Sequence, residues 1–355
     1  MRGFELAAVT AAVGLGLGCA TAPPVSDCVP EGRARPICIF QSPEDLVALP
    51  GDAAILVSEF GGMEGEHGGA LSLFVLESEE RRVLFRGGDA DGQTARWGDP
   101  ACPGPPPVGF SPHGIQLSHR RDGALQLLVV QHGGRESVEF FEVVGIGTDW
   151  ALAWRGCVVG PEDASFNSVA ALPEGGFLVT KMASRGSIAW QMFKGSVFGA
   201  STGLVYEWQP ASGLQPVPDT EDVMPNGIEV SADGRRFHLN TSGGKHCRIE
   251  RDGSGRECIE TPPLDNARWA PDGRLLVAQL LGLSFRDFRA CQNLESGACP
   301  LEFQIVAIDP ETLATEVLYH NEGPPMGAGT VGLQVGRELF IGSFVGDRIL
   351  RVSLD

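Results

Sequence analysis

The sequence predicts an all-β fold, a six-bladed β-propeller. The first observation is the stretch Met224-Pro-Asn-Gly-Ile-Glu-Val-Ser-Ala-Asp-Gly234, where a polar residue beside a glycine precedes an alternating segment. This alternation indicates a strand with one buried face, and Ala232-Asp-Gly234 indicates a hairpin turn to a return strand over 235–240. The second observation is that the pattern recurs. The third is a content of 48 Gly and 25 Pro, typical of a chain rich in turns.

The recurring pattern occurs six times, and each copy carries a polar marker at the mouth of a predicted inner strand. The spacings between successive markers, obtained by subtraction, run from 39 to 69 residues. Repeated β units at such intervals predict propeller blades with connecting loops of unequal length. The markers are Glu44, His113, Asn167, Asn226, Asp265 and Thr330.

The propeller is expected to span residues 38–355, after two shorter segments. Residues 1–19 have an apolar run from Leu6 to Leu17, too short for a membrane span, followed by Gly18-Cys19. This segment resembles a bacterial lipoprotein signal peptide with a lipobox at which Cys19 is acylated. Residues 20–37 are rich in Ala and Pro and are predicted to form a tether. We therefore expect a lipoprotein of the bacterial cell envelope, with secretion as the alternative.

The charge of the chain limits its partners. The net charge of -18 argues against nucleic acid, which requires a basic surface, and against electrostatic binding to anionic lipid. Membrane contact is then expected only through the lipid on Cys19, and the oligomeric state is left open.

Eight further cysteines, an even number in an exported chain, predict disulfides. The pairing with the shortest loops is Cys28–Cys38, Cys102–Cys157, Cys247–Cys258 and Cys291–Cys299.

Five polar side chains at the strand mouths supply only oxygen ligands to a metal ion. Ca²⁺ takes six to eight oxygen ligands from carboxylates, amides and water, and the mouths of inner strands converge on a propeller's central channel. The sequence therefore predicts a central calcium site. Its ligands would be Glu44, Asn167, Asn226, Asp265 and Asn266.

Several short phrases together resemble one family. These phrases are Glu44-Asp45-Leu, Pro112-His113-Gly-Ile, Leu-Val-Val-Gln-His132, Asn167, Asn226-Gly-Ile and Asp265-Asn266. In order and spacing they resemble the paraoxonase family of calcium-dependent lactonases and arylesterases, six-bladed propellers related to the gluconolactonases. The similarity extends from about Pro43 to Ile349.

The resemblance implies how the site would work. The five oxygen ligands would bind the catalytic Ca²⁺, His113 would lie beside it, and His132 would orient His113. An imidazole can take a proton from water near neutral pH, so His113 is the predicted base. Sequence leaves open whether Glu44 serves as the base instead. Substrate choice is expected to reside in loops 61–69, 87–107 and 184–201.

The family also has a second, structural calcium, and this sequence departs from its pattern. The resemblance implies that Asp45 and the backbone of Ile115 would bind that ion. The third position is Ser168, which brings no charge, so the second site is expected to be weak or absent. The family's terminal disulfide also cannot form, because the segment Arg351–Asp355 has no cysteine. Closure of the propeller is therefore expected to rest on strand pairing alone, with local disulfides as the alternative.

Two functions compete at this point. The first is a calcium-dependent hydrolase that acts on a small-molecule lactone or aryl ester. The alternative is a non-catalytic propeller, stabilised by calcium, that binds a partner in the cell envelope. The pair His113 and His132 favours the first, because a structural propeller has no need of a proton acceptor at the metal.

Overall fold

The structure is a computed structural model that describes residues 23–88, 97–186, 188–282, 291, 294 and 296–354. Within these ranges the strands form six sheets, as predicted. The first sheet consists of β2 (Pro43–Ala48), β3 (Ala54–Glu59), β4 (Ala70–Val75) and β5 (Glu80–Phe85). The second consists of β7 (Pro112–His119), β8 (Leu125–Gln131), β9 (Ser137–Ile146) and β10 (Asp149–Val159), with β6 (Trp97–Gly98) beside β10.

The third to fifth sheets repeat the same four-stranded antiparallel order. The third consists of β11 (Ala164–Ala171), β12 (Phe177–Ser184), β13 (Leu204–Gln209) and β14 (Gly213–Pro216). The fourth consists of β15 (Pro225–Val230), β16 (Arg236–Thr241), β17 (Lys245–Glu250) and β18 (Glu257–Glu260). The fifth consists of β19 (Leu264–Trp269), β20 (Leu275–Leu280), β21 (Phe303–Ile308) and β22 (Thr315–Asn321).

The sixth sheet closes the ring with strands from both ends of the chain. β23 (Gly329–Val335), β24 (Glu338–Ser343) and β25 (Ile349–Ser353) are joined by β1 (Ala34–Ile37), which pairs antiparallel with β25. The first strand of each sheet contacts the first strand of the next, and β2 contacts β23. The six sheets are thus the blades of a closed propeller, and the prediction of six blades is confirmed.

The predicted tether over 20–37 is wrong for its C-terminal part. β1 is the outermost strand of the sixth blade, the backbone of Val25 pairs with Ala298, and a disulfide joins Cys28 to Cys38. The Ala- and Pro-rich composition predicted a tether, because proline has no backbone N–H to donate to a neighbouring strand. An edge strand pairs on one side only and therefore tolerates Pro36. Residues 1–22, with the predicted signal peptide and Cys19, lie outside the described residues.

The inner strands are buried on both faces, which differs from the one buried face predicted for β15. All six residues of β15 are buried, including the carboxyl-bearing Glu229. One face packs against the apolar clusters between blades, and the other faces the inner strands across the channel. A polar residue in an inner strand of this propeller therefore lies in the channel wall, and it needs a partner there.

Two further features complete the fold. The four disulfides join the predicted pairs of cysteines, so those pairings are confirmed. A helix, α1 (Ile188–Phe198), lies in the segment 184–201 that was expected to be a loop. The part of the chain that the structure describes contains no helix with the length and hydropathy of a membrane span.

Candidate metal centre and active site

The six markers lie at equivalent places, and a local irregularity of the inner strand sets their direction. In each blade the pairing between the first and second strands shifts at or beside the marker, as between Pro225 and Ile228 or between Leu264 and Ala267. A bulge of this kind breaks strict alternation and redirects a side chain. The neighbours Asp265 and Asn266 can therefore both be buried at the channel mouth.

Glycines after two markers allow the inner strands to approach each other. A Cβ on Gly114 would lie 2.4 Å from the carbonyl oxygen of Asn167. A Cβ on Gly227 would lie 2.6 Å from the carbonyl oxygen of Asp265. Any side chain at either position would push the next blade outward. The His-Gly and Asn-Gly pairs of the sequence thus bring neighbouring markers together.

The five predicted calcium ligands are all buried, and four of them present oxygen atoms with no protein partner. Among the described side chains, five buried oxygen atoms have no hydrogen-bond partner, and only the hydroxyl of Ser58 is not from a predicted ligand. An unpaired buried oxygen costs roughly 1–3 kcal/mol, so such a cluster requires a partner that the chain does not supply. The four are Glu44 Oε2, Asn167 Oδ1, Asn226 Oδ1 and Asn266 Oδ1.

The amide nitrogens of the three asparagines are held by other groups, which leaves the oxygens facing inward. Asn266 Nδ2 donates to Glu44 Oε1 at 2.7 Å, and Asn226 Nδ2 donates to Ser242 Oγ at 3.0 Å. Asn167 Nδ2 lies 3.6 Å from Met182 Sδ. A hard divalent cation with oxygen ligands fits this donor set. Among the described residues, no group of three or more His, Cys, Asp or Glu forms a metal site, because three of these five ligands are amides.

A chain of buried side chains leads from this cluster into the second blade. His113 Nε2 lies 3.4 Å from Glu44 Oε1, and His113 Nδ1 lies 2.8 Å from His132 Nε2. His132 Nδ1 in turn lies 3.0 Å from both carboxylate oxygens of Glu136. Both imidazoles contact the ring of Phe60. The structure thus brings together the two predicted histidines and adds a third member that sequence reasoning missed.

The chain of hydrogen bonds determines which nitrogen of His113 faces the oxygen cluster. Glu136 accepts from the backbone N–H of Phe166 and lies 3.5 Å from Nη1 of Arg185. A carboxylate only accepts, so His132 carries its proton on Nδ1 and accepts at Nε2. His113 must then donate from Nδ1, so its Nε2, which lies 3.4 Å from Glu44 Oε1, is the nitrogen at which His113 can gain or lose a proton.

The electrostatics of the cluster also favour a cation. Burial raises the pKa of Asp265 well above its usual range, and the nearby charge of Glu44 raises it further. Burial alone would lower the pKa of His113, but the attraction of Glu44 and Asp265 outweighs it, so the pKa is raised. Several carboxylates share a space from which water is largely excluded. A bound divalent cation would neutralise this excess of negative charge.

The two groups predicted for a second calcium have a different partner. Arg268, on β19, donates from Nη2 to Asp45 Oδ2 and to the carbonyl oxygen of Ile115. At the third predicted position, the backbone N–H of Ser168 donates to Thr180 Oγ1 at 3.0 Å, and the carbonyl oxygen of Ser168 lies 3.3 Å from the same hydroxyl. Asp45 and the carbonyl of Ile115 are therefore already bound by a guanidinium, in contrast to the unpaired oxygen atoms around Glu44.

Two residues important for the site were missed from sequence. Glu136 is four residues after His132, where a carboxylate on the turn into β9 can reach back to the imidazole. Arg268 is two residues after Asn266 on β19, just past the bulge between Leu264 and Ala267. The loop 61–69 also reaches the site, since Glu64 forms a 2.6 Å ion pair with Arg185.

Comparison with known proteins adds little to this geometry. No protein-family model matches the chain, and the search of curated proteins found no match. Among solved structures, the chain is similar to an oligogalacturonate lyase in complex with manganese. The two share 12% sequence identity with a TM-score of 0.46, over 90% of this chain and 91% of that one.

Proposed function

We propose that this protein is a calcium-dependent hydrolase that opens lactones or cleaves aryl esters. The observation that carries the proposal is the unpaired oxygen cluster at the end of the chain Glu136–His132–His113. Oxygen atoms that would suit a hard cation lie beside a histidine that would accept a proton. The membership in the paraoxonase family suggested by the sequence phrases is part of the same proposal.

The five oxygen ligands would hold the ion. Glu44, Asn167, Asn226, Asp265 and Asn266 come from four of the six blades, and together they carry two formal negative charges. A bound Ca²⁺ would act as a Lewis acid toward the carbonyl oxygen of the ester. Asn167 and Asn226, as ligands of the ion, would help to hold it in position for that role.

His113 would take the proton of the attacking water. Its Nε2 faces Glu44, and its Nδ1 lies 2.8 Å from His132 Nε2. A bound cation would offset the charge of Glu44 and Asp265 and so favour the neutral imidazole, with a lone pair on Nε2. As His113 gains charge, His132 and the carboxylate of Glu136 would stabilise the imidazolium through the same hydrogen bonds. Glu44 Oε1 lies next to His113 Nε2, so Glu44 is the alternative acceptor.

A hydrolysis screen tests the proposal directly. Purified protein would be assayed on a panel of lactones and aryl esters, in Ca²⁺ and in excess EGTA. We expect hydrolysis of at least one class that is lost in EGTA and restored by Ca²⁺. Lack of hydrolysis across the panel by a protein that binds Ca²⁺ would instead favour a calcium-stabilised propeller that binds a partner.

We further propose that the protein acts in the bacterial cell envelope, attached through Cys19 or secreted.

A further inference from the structure

A buried arginine lies one layer deeper in the channel than the oxygen cluster. Arg268 is three residues after Asp265 on β19, which corresponds to roughly 10 Å along a strand. Its side chain is almost fully buried and extends toward β2 and β7. Arginine is rarely buried unless its charge is paired and its donors are matched.

Each of the five N–H groups of this guanidinium has an acceptor. Nε donates to the carbonyl oxygen of Leu46 at 2.9 Å. Nη1 donates to the carbonyl oxygen of Ala267 at 2.8 Å and to Glu229 Oε1 at 3.2 Å. Nη2 donates to Asp45 Oδ2 and to the carbonyl oxygen of Ile115. The acceptors belong to the first, second, fourth and fifth blades, so one cation connects four inner strands.

Two of these acceptors are the groups that the family resemblance assigns to a structural calcium. Asp45 Oδ2 also accepts from the backbone N–H of Ile115 at 2.8 Å, and Asp45 Oδ1 accepts from Leu46 at 2.9 Å. The carboxylate is thus fully used by protein donors. Ser168 stands where that resemblance expects an acidic residue, so this position supplies no charge, and the carboxylates paired with Arg268 are those of Asp45 and Glu229.

We propose that Arg268 is a built-in replacement for the second metal ion of the channel. Its guanidinium takes the position between Asp45 and Ile115 and provides the cross-link between blades that a divalent ion would provide. The protein therefore binds at most one Ca²⁺, at the cluster around Glu44. This inference does not depend on hydrolytic activity.

Counting bound ions in variants tests the replacement. Calcium per chain would be measured by elemental analysis after gel filtration and by calorimetric titration. The proteins are the wild type, Ser168→Asp, the double variant Arg268→Ala/Ser168→Asp, and Arg274→Ala as a control at an exposed arginine. The double variant should bind one more Ca²⁺ than the wild type. Ser168→Asp alone should bind no more, because the guanidinium still holds the position.

Stability supplies a second readout. The double variant should melt at a lower temperature than the wild type in EGTA, and millimolar Ca²⁺ should raise its melting temperature by more than it raises that of the wild type. Two ions bound to the wild type, or an extra ion bound to Ser168→Asp, would overturn the proposal. A double variant that gains neither an ion nor calcium-dependent folding would also overturn it. Absence of calcium from the wild type with one ion in the double variant would refute the proposed function but support this replacement.

Discussion

At the scale of single residues, the site depends on which atom of each side chain is already in use. The three asparagines use their nitrogens in protein contacts and keep their oxygens free. His113 uses Nδ1 in its contact with His132 and directs Nε2 toward Glu44. Hydrogen bonding outside the cluster thus orients the groups inside it before any ligand binds.

Glu136 is a positioning residue, and its replacement tests the orientation of the histidines. In Glu136→Gln the amide oxygen would be drawn to the N–H of Phe166, and the amide N–H would face His132 and favour the wrong tautomer. We expect kcat to fall by on the order of 10²-fold, and the acidic limb of kcat/KM to shift to lower pH. Calcium binding should not change, since Glu136 contacts no predicted ligand.

The control for Glu136→Gln is Glu142→Gln, which lies on β9 and pairs with Arg155 at the surface. It should leave both kcat and the pH profile as in the wild type. An unchanged pH profile in Glu136→Gln would show that the carboxylate does not act on the histidines.

Sequence located the oxygen cluster better than the groups behind it. Four of the five predicted ligands are markers of the repeat, and Asn266 directly follows one of them, so their placement follows from the repeat itself. Glu136 lies outside the repeated phrase, and Arg268 lies inside one copy at a position where the other five copies have no arginine. The contact of Arg268 with Asp45 joins residues 223 positions apart. This ion pair depends on how the inner strands of the first and fifth blades lie relative to each other. A local sequence pattern does not predict that arrangement.

At the scale of strands, the fourth blade contains a second buried histidine pair with a different role. His238 on β16 and His246 on β17 lie 3.3 Å apart between Nδ1 and Nε2, and His246 Nδ1 lies 2.7 Å from Asn240 Oδ1. Burial lowers the pKa of His238 to about 4, with a further contribution from Arg248. Burial, and then the neighbouring His238, lowers the pKa of His246 to about 3.

This pair should make stability depend on pH. Unfolded histidines titrate near 6.5, so between about pH 6.5 and 4 the unfolded chain binds more protons than the folded one. The free energy of unfolding should therefore fall as pH falls through this window, by on the order of 2 kcal/mol per histidine. Urea unfolding at pH 7.5 and 4.5, at fixed calcium concentration, measures the loss.

The variant His238→Gln keeps a donor for His246 but removes one titrating group. Its loss of stability between the two pH values should be smaller than that of the wild type. The control His320→Gln changes an exposed histidine, paired with Glu302, and should behave as the wild type. Equal losses in all three proteins would contradict the assignment.

The inner strand of each blade was predicted from the repeated phrase, but the bulges in these strands and the strand β1 were not. The six inner strands follow from alternation and turn residues, but the bulge in each could not be read from alternation. β1 was missed because only four residues pair, and they are rich in charge and proline. Tertiary pairing with β25, more than 300 residues later, makes this segment a strand.

At the scale of the whole molecule, the proposed ion would connect distant blades. Its predicted ligands come from the first, third, fourth and fifth blades, and Arg268 connects the first, second, fourth and fifth. The two cross-links lie in successive layers of one channel. The sixth blade is joined instead by pairing of β1 with β25, so closure rests on strand pairing as the sequence predicted.

Removal of calcium should therefore destabilise the whole propeller. A ligand that binds only the folded state at 100 times its Kd stabilises that state by about 2.7 kcal/mol. We expect the melting temperature to fall in EGTA and to recover on addition of Ca²⁺. The variant Asp265→Ala should lose this response, whereas Asp272→Ala, in an exposed turn, should keep it. A melting temperature that is the same with and without calcium would contradict the metal site.

The most direct test of the central claim is the pH profile of kcat/KM for hydrolysis of a lactone. It would be measured in saturating Ca²⁺ for the wild type, His113→Gln and His119→Gln, the last a control at the exposed end of β7. The wild type and His119→Gln should gain activity through an apparent pKa near that of a histidine. His113→Gln should bind Ca²⁺ but lose roughly 10²–10⁴-fold in activity together with this limb. A His113→Gln enzyme that stays active and keeps the same limb would contradict the account, and would assign the proton to Glu44.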